Sequence, residues 1–307
     1  MKKLSIVVPV YYNEGSLPHL YDEITRLEGM LREQEMELEL IMVDDGSKDQ
    51  SYAKLKEIQT KRPATRVIKL ARNFGSYHAI KAGLGLVTGD CFTYLAADLQ
   101  DPPELILEMV QRWQKGTKYI VCTRADRKDP ATSKLFAGLY YRLLRAAVIK
   151  DYPEGGFDLA LMDRTMLPYL LSSGRNINLA LFAFWLGFKP EYIPYQRRER
   201  KHGKSRWTFS KKFTLFLDSM LGFSIVPIRA ISFIGLIVSL LSFAYGIFVV
   251  ISALLGKIPI RGFSATIALT SFLLGIVILM LGIIGEYVWR IHTEVSKRPE
   301  YVIEEVS

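Results

Sequence analysis

The sequence predicts an α/β domain on a mostly parallel sheet, followed by an interfacial helix and two membrane-spanning helices. Two observations carry that prediction. Short β-rich apolar runs alternate with longer helix-like segments through the N-terminal part of the chain. Near the other end, Ile231–Leu255 and Gly262–Gly285 contain no charged residue.

The strand-like runs are Leu4–Val10, Leu38–Val43, Arg66–Leu70, Cys91–Leu95 and Tyr119–Cys122. Between them lie helix-like segments over Ser16–Gln34, Asp49–Lys61, Ser76–Val87 and Pro102–Gln114. Ser16 stands where a helix cap is expected, and Pro102-Pro103-Glu104 suits a first helical turn. Strand–helix alternation requires crossovers, so the sheet is parallel and covered on both faces. Ligands of such sheets bind beyond the carboxyl ends of the strands. Leu4–Val10 is too short for a signal core and ends at Pro9 and polar Asn13-Glu14, so it reads as a first strand.

Each charge-free stretch exceeds the ~20 residues that cross a hydrocarbon core of about 30 Å. Their link, Gly256-Lys257-Ile258-Pro259-Ile260-Arg261, is short and turn-like, so the pair reads as a helical hairpin. Basic residues crowd both outer flanks, from Arg197 to Arg229 and again at Arg290, Lys297 and Arg298, whereas the link holds only Lys257 and Arg261. The positive-inside rule then puts both termini in the cytoplasm. Phe209–Val226 mixes Lys211, Lys212 and Asp218 with bulky apolar residues and suits a helix lying in the interface. The expected divisions are a cytoplasmic domain 1–208, a juxtamembrane helix 209–226, a hairpin 227–289 and a cytoplasmic tail 290–307.

The net charge of +9 admits nucleic acid, an anionic membrane or phosphate-bearing substrates as partners. The basic residues gather beside the apolar spans and not among exposed aromatics, which disfavours nucleic acid. Cys91 and Cys122 each sit in an apolar run without a metal-ligand partner, so both read as buried small side chains.

The polar clusters fall where the strand runs end. They are Tyr11-Tyr12-Asn13-Glu14, Asp44-Asp45-Gly46-Ser47, Arg72-Asn73-Phe74-Gly75 and Asp98-Leu99-Gln100-Asp101. A lone Asp-Asp-Gly-Ser is commonly a turn and cap; repetition after four successive strands points to a site. No Gly-x-Gly-x-x-Gly follows the first strand and no Gly-x-x-x-x-Gly-Lys-Ser/Thr occurs, which disfavours dinucleotide-binding dehydrogenases and P-loop enzymes. Asp98 and Gln100 offer hard oxygen ligands two residues apart, suited to Mg²⁺ or Mn²⁺ bridging a diphosphate.

These motifs, with Val8-Pro9-Val10-Tyr11 before them and Pro102-Pro103-Glu104 after, resemble glycosyltransferase family 2. The likeness is to the polyprenyl-phosphate branch, which includes dolichyl-phosphate mannosyltransferase and bacterial undecaprenyl-phosphate glucosyl- and aminoarabinosyl-type transferases. It covers nearly the whole chain, spans included. The resemblance implies a GT-A fold, a divalent metal and inversion at the anomeric carbon. It further implies transfer of a hexose-type sugar from a nucleotide sugar, UDP-glucose above others, to undecaprenyl phosphate. The product would serve cell-envelope glycan modification at the inner membrane, and relatives form homo-oligomers. Pro9, Tyr11, Glu14, Asp44, Asp45 and Arg72 would line the donor nucleotide site. Asp98 and Gln100 would hold metal and diphosphate, Asp98 counting also as catalytic. Many relatives have an acidic residue where this chain has Ala96, which leaves one carboxylate fewer for the metal.

On the acceptor side, Gly156-Phe157-Asp158-Leu159 resembles the family segment that sets an acidic residue beside the reaction centre. Asp158 would orient the acceptor or help hold the sugar. Arg200, Gly203 and Ser205 match the family's Arg-x-x-Gly-x-Ser loop. Arg124, Lys134, Arg200, Lys204 and Ser205 are the candidates for acceptor phosphate. Two alternatives stand beside this reading. A processive polysaccharide synthase would need Gln-x-x-Arg-Trp, whereas Gln111-Arg112-Trp113 lacks the gap. A non-catalytic scaffold is encouraged only by Ala96.

Overall fold

A computed structural model describes residues 1–124, 131–153, 156–175, 177–198, 209–255 and 263–307. The chain runs β1 (Lys2–Val10), α1 (Leu17–Glu33), β2 (Met36–Asp44), α2 (Ser51–Lys61), β3 (Arg66–Leu70), α3 (Ser76–Leu84), β4 (Cys91–Tyr94), α4 (Leu105–Gln114) and β5 (Tyr119–Arg124). It continues with α5 (Ala131–Ala147), β6 (Phe157–Asp163), α6 (Leu167–Leu171), α7 (Leu179–Trp185) and β7 (Glu191–Tyr195). The last elements are α8 (Phe209–Phe223), α9 (Val226–Leu254), α10 (Phe263–Val295) and β8 (Ile303–Val306).

The sheet order is β7-β5-β6-β4-β1-β2-β3-β8. β1 pairs in parallel with β2 and β4, β2 with β3, and β5 with β7. β6 and β8 run antiparallel to their neighbours, so the sheet is mixed, with parallel pairing dominant. Strands β1 and β2 are apolar on both faces because helices cover both. On one face, Leu4, Ile6, Val8 and Val10 pack with Leu20, Ile24, Leu27 and Leu31 of α1 and with Ile106, Met109 and Val110 of α4. On the other face α3 lies tight against the sheet: a Cβ on Gly83 would come within 2.4 Å of Val7 Cγ1. That close approach sets the first turn of α3 beside the strand ends.

All five expected strands are present, each within two residues of its expected bounds. The helix after β3 starts at Ser76 as expected, and the other three start one to three residues later than expected. Ser16 makes no side-chain cap, its hydroxyl instead donating to Asn13 O at 3.2 Å. The prolines precede a helix that begins at Leu105. Cys91 and Cys122 are buried free thiols, and burial pushes Cys122 up to about 12.

The chain divides into two compact units, Met1–Ser219 with Pro299–Ser307, and Met220–Arg298. The second consists of α9 and α10, which contain stretches long and apolar enough to cross a membrane. Only 6% of Val226–Val249 and none of Phe272–Val295 is buried, which excludes a packed soluble core for both. Gly235 of α9 faces Met280 of α10 closely enough that a Cβ would meet its Cε at 2.8 Å. The expected link 256–261 lies outside the described residues.

The segment expected as a tail from residue 290 carries regular structure. Residues up to Val295 extend α10, and β8 joins β3 as an edge strand. Glu300 pairs with buried Lys81 at 2.8 Å, Glu304 with Lys69 at 3.0 Å and Glu305 with Lys56 at 3.0 Å. Glu300 and the adjacent pair Glu304-Glu305 of β8 therefore each meet a lysine.

Candidate active site

The carboxyl ends of β1, β2, β3 and β4 share one edge of the sheet, and the loops that follow are bonded to one another. Asp45 N donates to Val10 O at 2.8 Å. Tyr12 N donates to Ser47 Oγ and Asn13 N to Ser51 Oγ, at 3.1 and 2.8 Å. Glu14 accepts from Gln50 N at 2.9 Å. Gly46 has φ +68°, and a Cβ there would stand 2.5 Å from Arg72 C. Only glycine lets the turns after β2 and β3 approach so closely.

The paired aspartates differ in what they do. Asp45 accepts from Phe74 N at 2.7 Å, Gly75 N at 2.9 Å and Asn73 Nδ2 at 2.8 Å. Both of its oxygens hold the β3–α3 turn, and burial pushes its carboxyl up to about 6 against those bonds. Asp44 accepts from Ser47 N through Oδ2, while its buried Oδ1 finds no hydrogen-bond partner among the described residues. Burial raises the Asp44 carboxyl as well. An orphaned buried acceptor is costly unless a donor reaches it. Arg72 is exposed and sets its guanidinium 4.1 Å from the Phe74 ring centre. Pro9 lies in β1 opposite Val43, and the Tyr11 and Tyr12 rings meet edge-on at 4.7 Å.

After β4, Leu99 adopts φ +57°, a left-handed turn between Asp98 and Gln100. Asp98 Oδ1 accepts from Gln100 N at 3.3 Å. Among the described residues no three His, Cys, Asp or Glu side chains are grouped to hold a metal. The donor set at this turn therefore fits a cation that takes one carboxylate, an amide oxygen and substrate phosphates, as Mg²⁺ characteristically does.

The second half of the edge comes from β5, β6 and β7. Asp158 at the start of β6 accepts two hydrogen bonds from Arg124, Nε at 2.5 Å and Nη2 at 2.7 Å. Burial alone would raise this carboxyl, but the Arg124 bonds and the nearby Arg197 charge hold it below the usual carboxylate range. Arg124 and Tyr195 are register partners at the ends of β5 and β7. Arg198 N donates to Gln100 O at 2.9 Å, so the chain leaving β7 runs beside the Asp98–Gln100 turn. Arg198 also reaches Glu104 at 3.1 Å.

Asp98, Gln100, Arg124 and Asp158 thus lie along the edge that carries Pro9, Tyr11, Glu14, Asp44, Asp45 and Arg72. Arg200, Lys204 and Ser205 lie outside the described residues, as does the side chain of Lys134 in α5. Sequence reasoning passed over Tyr195 and named Asp101 and Arg197 only within a polar cluster and a basic run, with no site role for either; their contacts appear only once β7 is placed. Arg112 and Trp113 are spent inside the fold, on Glu108, Glu191 and Asp163.

The profile of Glycosyl transferase family 2 matches residues 5–167. The uncharacterized glycosyltransferase sll0501 of Synechocystis is 33% identical over 99% of this chain and 95% of its own length. The uncharacterized glycosyltransferase YkcC of Bacillus subtilis is 35% identical over 98% of this chain and 93% of its own. The SfII prophage-derived bactoprenol glucosyl transferase of Shigella flexneri is 31% identical over 98% and 97%. Matches of this length and identity, on a fold whose strand ends carry the family's motifs, establish that the chain belongs to glycosyl transferase family 2 and is a glycosyltransferase.

Proposed function

We propose that this enzyme transfers a sugar from a nucleotide diphosphate carrier to a polyprenyl phosphate at the cytoplasmic face of a membrane, with UDP-glucose as donor and undecaprenyl phosphate as acceptor. The observation that carries the reading is the seam at Gln100, where the oxygen-rich turn after β4 meets the backbone leading into the basic segment, next to Arg124 and Asp158. A donor diphosphate and an anionic acceptor need these two kinds of group side by side. The relatives named bactoprenol glucosyl transferase support a polyprenyl carrier. So does an aromatic run from Phe157 through Tyr152, Tyr141 and Tyr140 to Phe216 of α8, with successive ring centres 4.9 to 6.1 Å apart. It would flank Asp158 with apolar surface on the side of α8, Tyr152 being buried within it.

In this reading Asp98 and Gln100 hold Mg²⁺ or Mn²⁺, which supplies positive charge against the departing diphosphate. Buried Asp44 Oδ1 accepts an N–H from the nucleotide. An oxygen of the acceptor phosphate attacks the anomeric carbon opposite the diphosphate. The new C–O bond forms as the old one breaks, the electron pair leaves with the nucleoside diphosphate, and the configuration inverts. A lipid monophosphate has its second pKa at about 6, so near neutrality the attacking oxygen needs no base. Asp158, held ionised, instead orients Arg124 toward that phosphate. The basic flanks of the apolar helices support a cytoplasmic catalytic unit at an inner membrane, and the likeness to the family supports homo-oligomers.

The test is transfer by the purified full chain in detergent, given undecaprenyl phosphate, a panel of nucleotide sugars and Mg²⁺ or Mn²⁺. Lipid-linked glucose is expected from UDP-glucose, abolished by EDTA and by Asp98→Ala with the melting temperature unchanged. A panel yielding no lipid-linked sugar would overturn the acceptor assignment, and an active Asp98→Ala protein the metal assignment.

A further inference from the structure

The edge is closed by side chains to which neither the motifs nor the family pattern assigns a role. The Tyr195 hydroxyl donates to Asp101 Oδ1 at 2.5 Å and lies 3.2 Å from Asp158 Oδ2. Asp101 is 2% exposed. Two residues beyond Tyr195, the buried Nε of Arg197 stands 3.5 Å from Asp101 Oδ1 and 3.9 Å from Asp158 Oδ2. One phenol and one guanidinium therefore sit between a buried carboxylate, Asp101, and a half-buried one, Asp158, that would otherwise repel. Asp101 ends the Asp98–Gln100 turn; Asp158 holds Arg124. Tyr195 thereby ties the turn proposed for the donor to the pair proposed for the acceptor.

We propose that Tyr195 and Asp101 are positioning residues for glycosyl transfer: their hydrogen bond fixes the spacing between the Asp98–Gln100 turn and the Asp158–Arg124 pair. The proposal rests on the functional reading above for which substrate occupies which side. In-line displacement is sensitive to that spacing, since a misplacement of about 1 Å can cost about 10²-fold in rate. Phenylalanine at 195 keeps the ring and loses the bond. Asparagine at 101 keeps an oxygen that accepts from Tyr195, and leucine keeps only bulk.

The experiment compares full-length wild type with Tyr195→Phe, Asp101→Asn and Asp101→Leu, using UDP-glucose, Mn²⁺ and undecaprenyl phosphate. UDP binding is measured by calorimetry, and UDP-glucose hydrolysis without lipid is followed in parallel. Tyr195→Phe and Asp101→Leu are expected to lower kcat about tenfold or more while UDP affinity stays within about twofold, and Asp101→Asn to keep kcat within about threefold. A Tyr195→Phe enzyme with wild-type kcat overturns the proposal. So does equal loss of UDP binding and kcat, which marks a merely structural bond, or an Asp101→Asn enzyme as slow as Asp101→Leu. A wild type that hydrolyses UDP-glucose but makes no lipid product sinks the acceptor reading alone, and the hydrolysis rates then judge Tyr195 by the same criteria.

Discussion

Asp44 and Asp45 are neighbours in sequence and opposites in use. Asp44 ends β2 and keeps one buried oxygen without a partner among the described residues, whereas Asp45, the first residue beyond it, turns both oxygens to the next loop. Asp45 is committed to the β3–α3 turn through Asn73, Phe74 and Gly75. Its folded pKa, about 6, lies above the ordinary 3.8, chiefly through burial. The folded protein therefore binds this proton more tightly than the unfolded chain. The corresponding stability is fully present below pH 3.8 and is lost as pH rises through about 6. Unfolding of wild type and Asp45→Asn, followed from pH 4 to 8, is expected to show the largest advantage of wild type at the acid end. An advantage that grows with pH would refute this account. The sequence made the aspartate pair conspicuous but not the division of labour, because that depends on which backbone amides lie across the loop.

At the scale of elements, the turns after β1, β2 and β3 form one bonded unit, and Gly46 is its tightest point. Gly46→Ala would put a Cβ into the Arg72 backbone and hold a non-glycine residue at φ +68°. Left-handed backbone alone costs about 1–2 kcal/mol. The expected result is a donor KM raised about tenfold with a lower melting temperature. Gly29→Ala is the control, since no atom lies within 4 Å of its added Cβ. Alanine there should keep KM and favour the helix by up to about 1 kcal/mol. An unchanged KM in Gly46→Ala would show that the turns do not act as a unit. Strands β1 to β5 were legible because burial on both faces leaves a continuous apolar signature. β6 was met only as a family-like segment around Asp158 and was not expected as a strand. β7 carries exposed Tyr192 and Pro194, and β8 sets two adjacent acids between Ile303 and Val306 on an exposed edge, so neither resembles a buried strand.

For the whole molecule, the decisive contact is between residues far apart in the chain. Val67 N donates to Ser307 O and Ala71 N to Val302 O, at 2.8 and 3.0 Å. These bonds commit the segment after α10 to the compartment that holds β3. A cysteine at position 307 and one at Lys61 should then react with an impermeant maleimide from the same side of sealed vesicles; Cys91 and Cys122 are fully buried. Labelling from opposite sides would refute the topology. The two apolar helices could be read from composition alone, whereas the strand that follows them could not. Its partners, Lys56 and Lys69, are about 235 to 249 residues away in sequence, beyond any local pattern.

That pairing also sets an order of assembly. β8 is synthesised after both apolar helices, so the edge of β3 stays open until the hairpin has been made. A ribosome product with one helix inserted and the other stranded would leave β8 across the bilayer from its lysines. If α9 and α10 both cross a membrane, sheet completion is a parity check on insertion, passed only by chains that cross an even number of times.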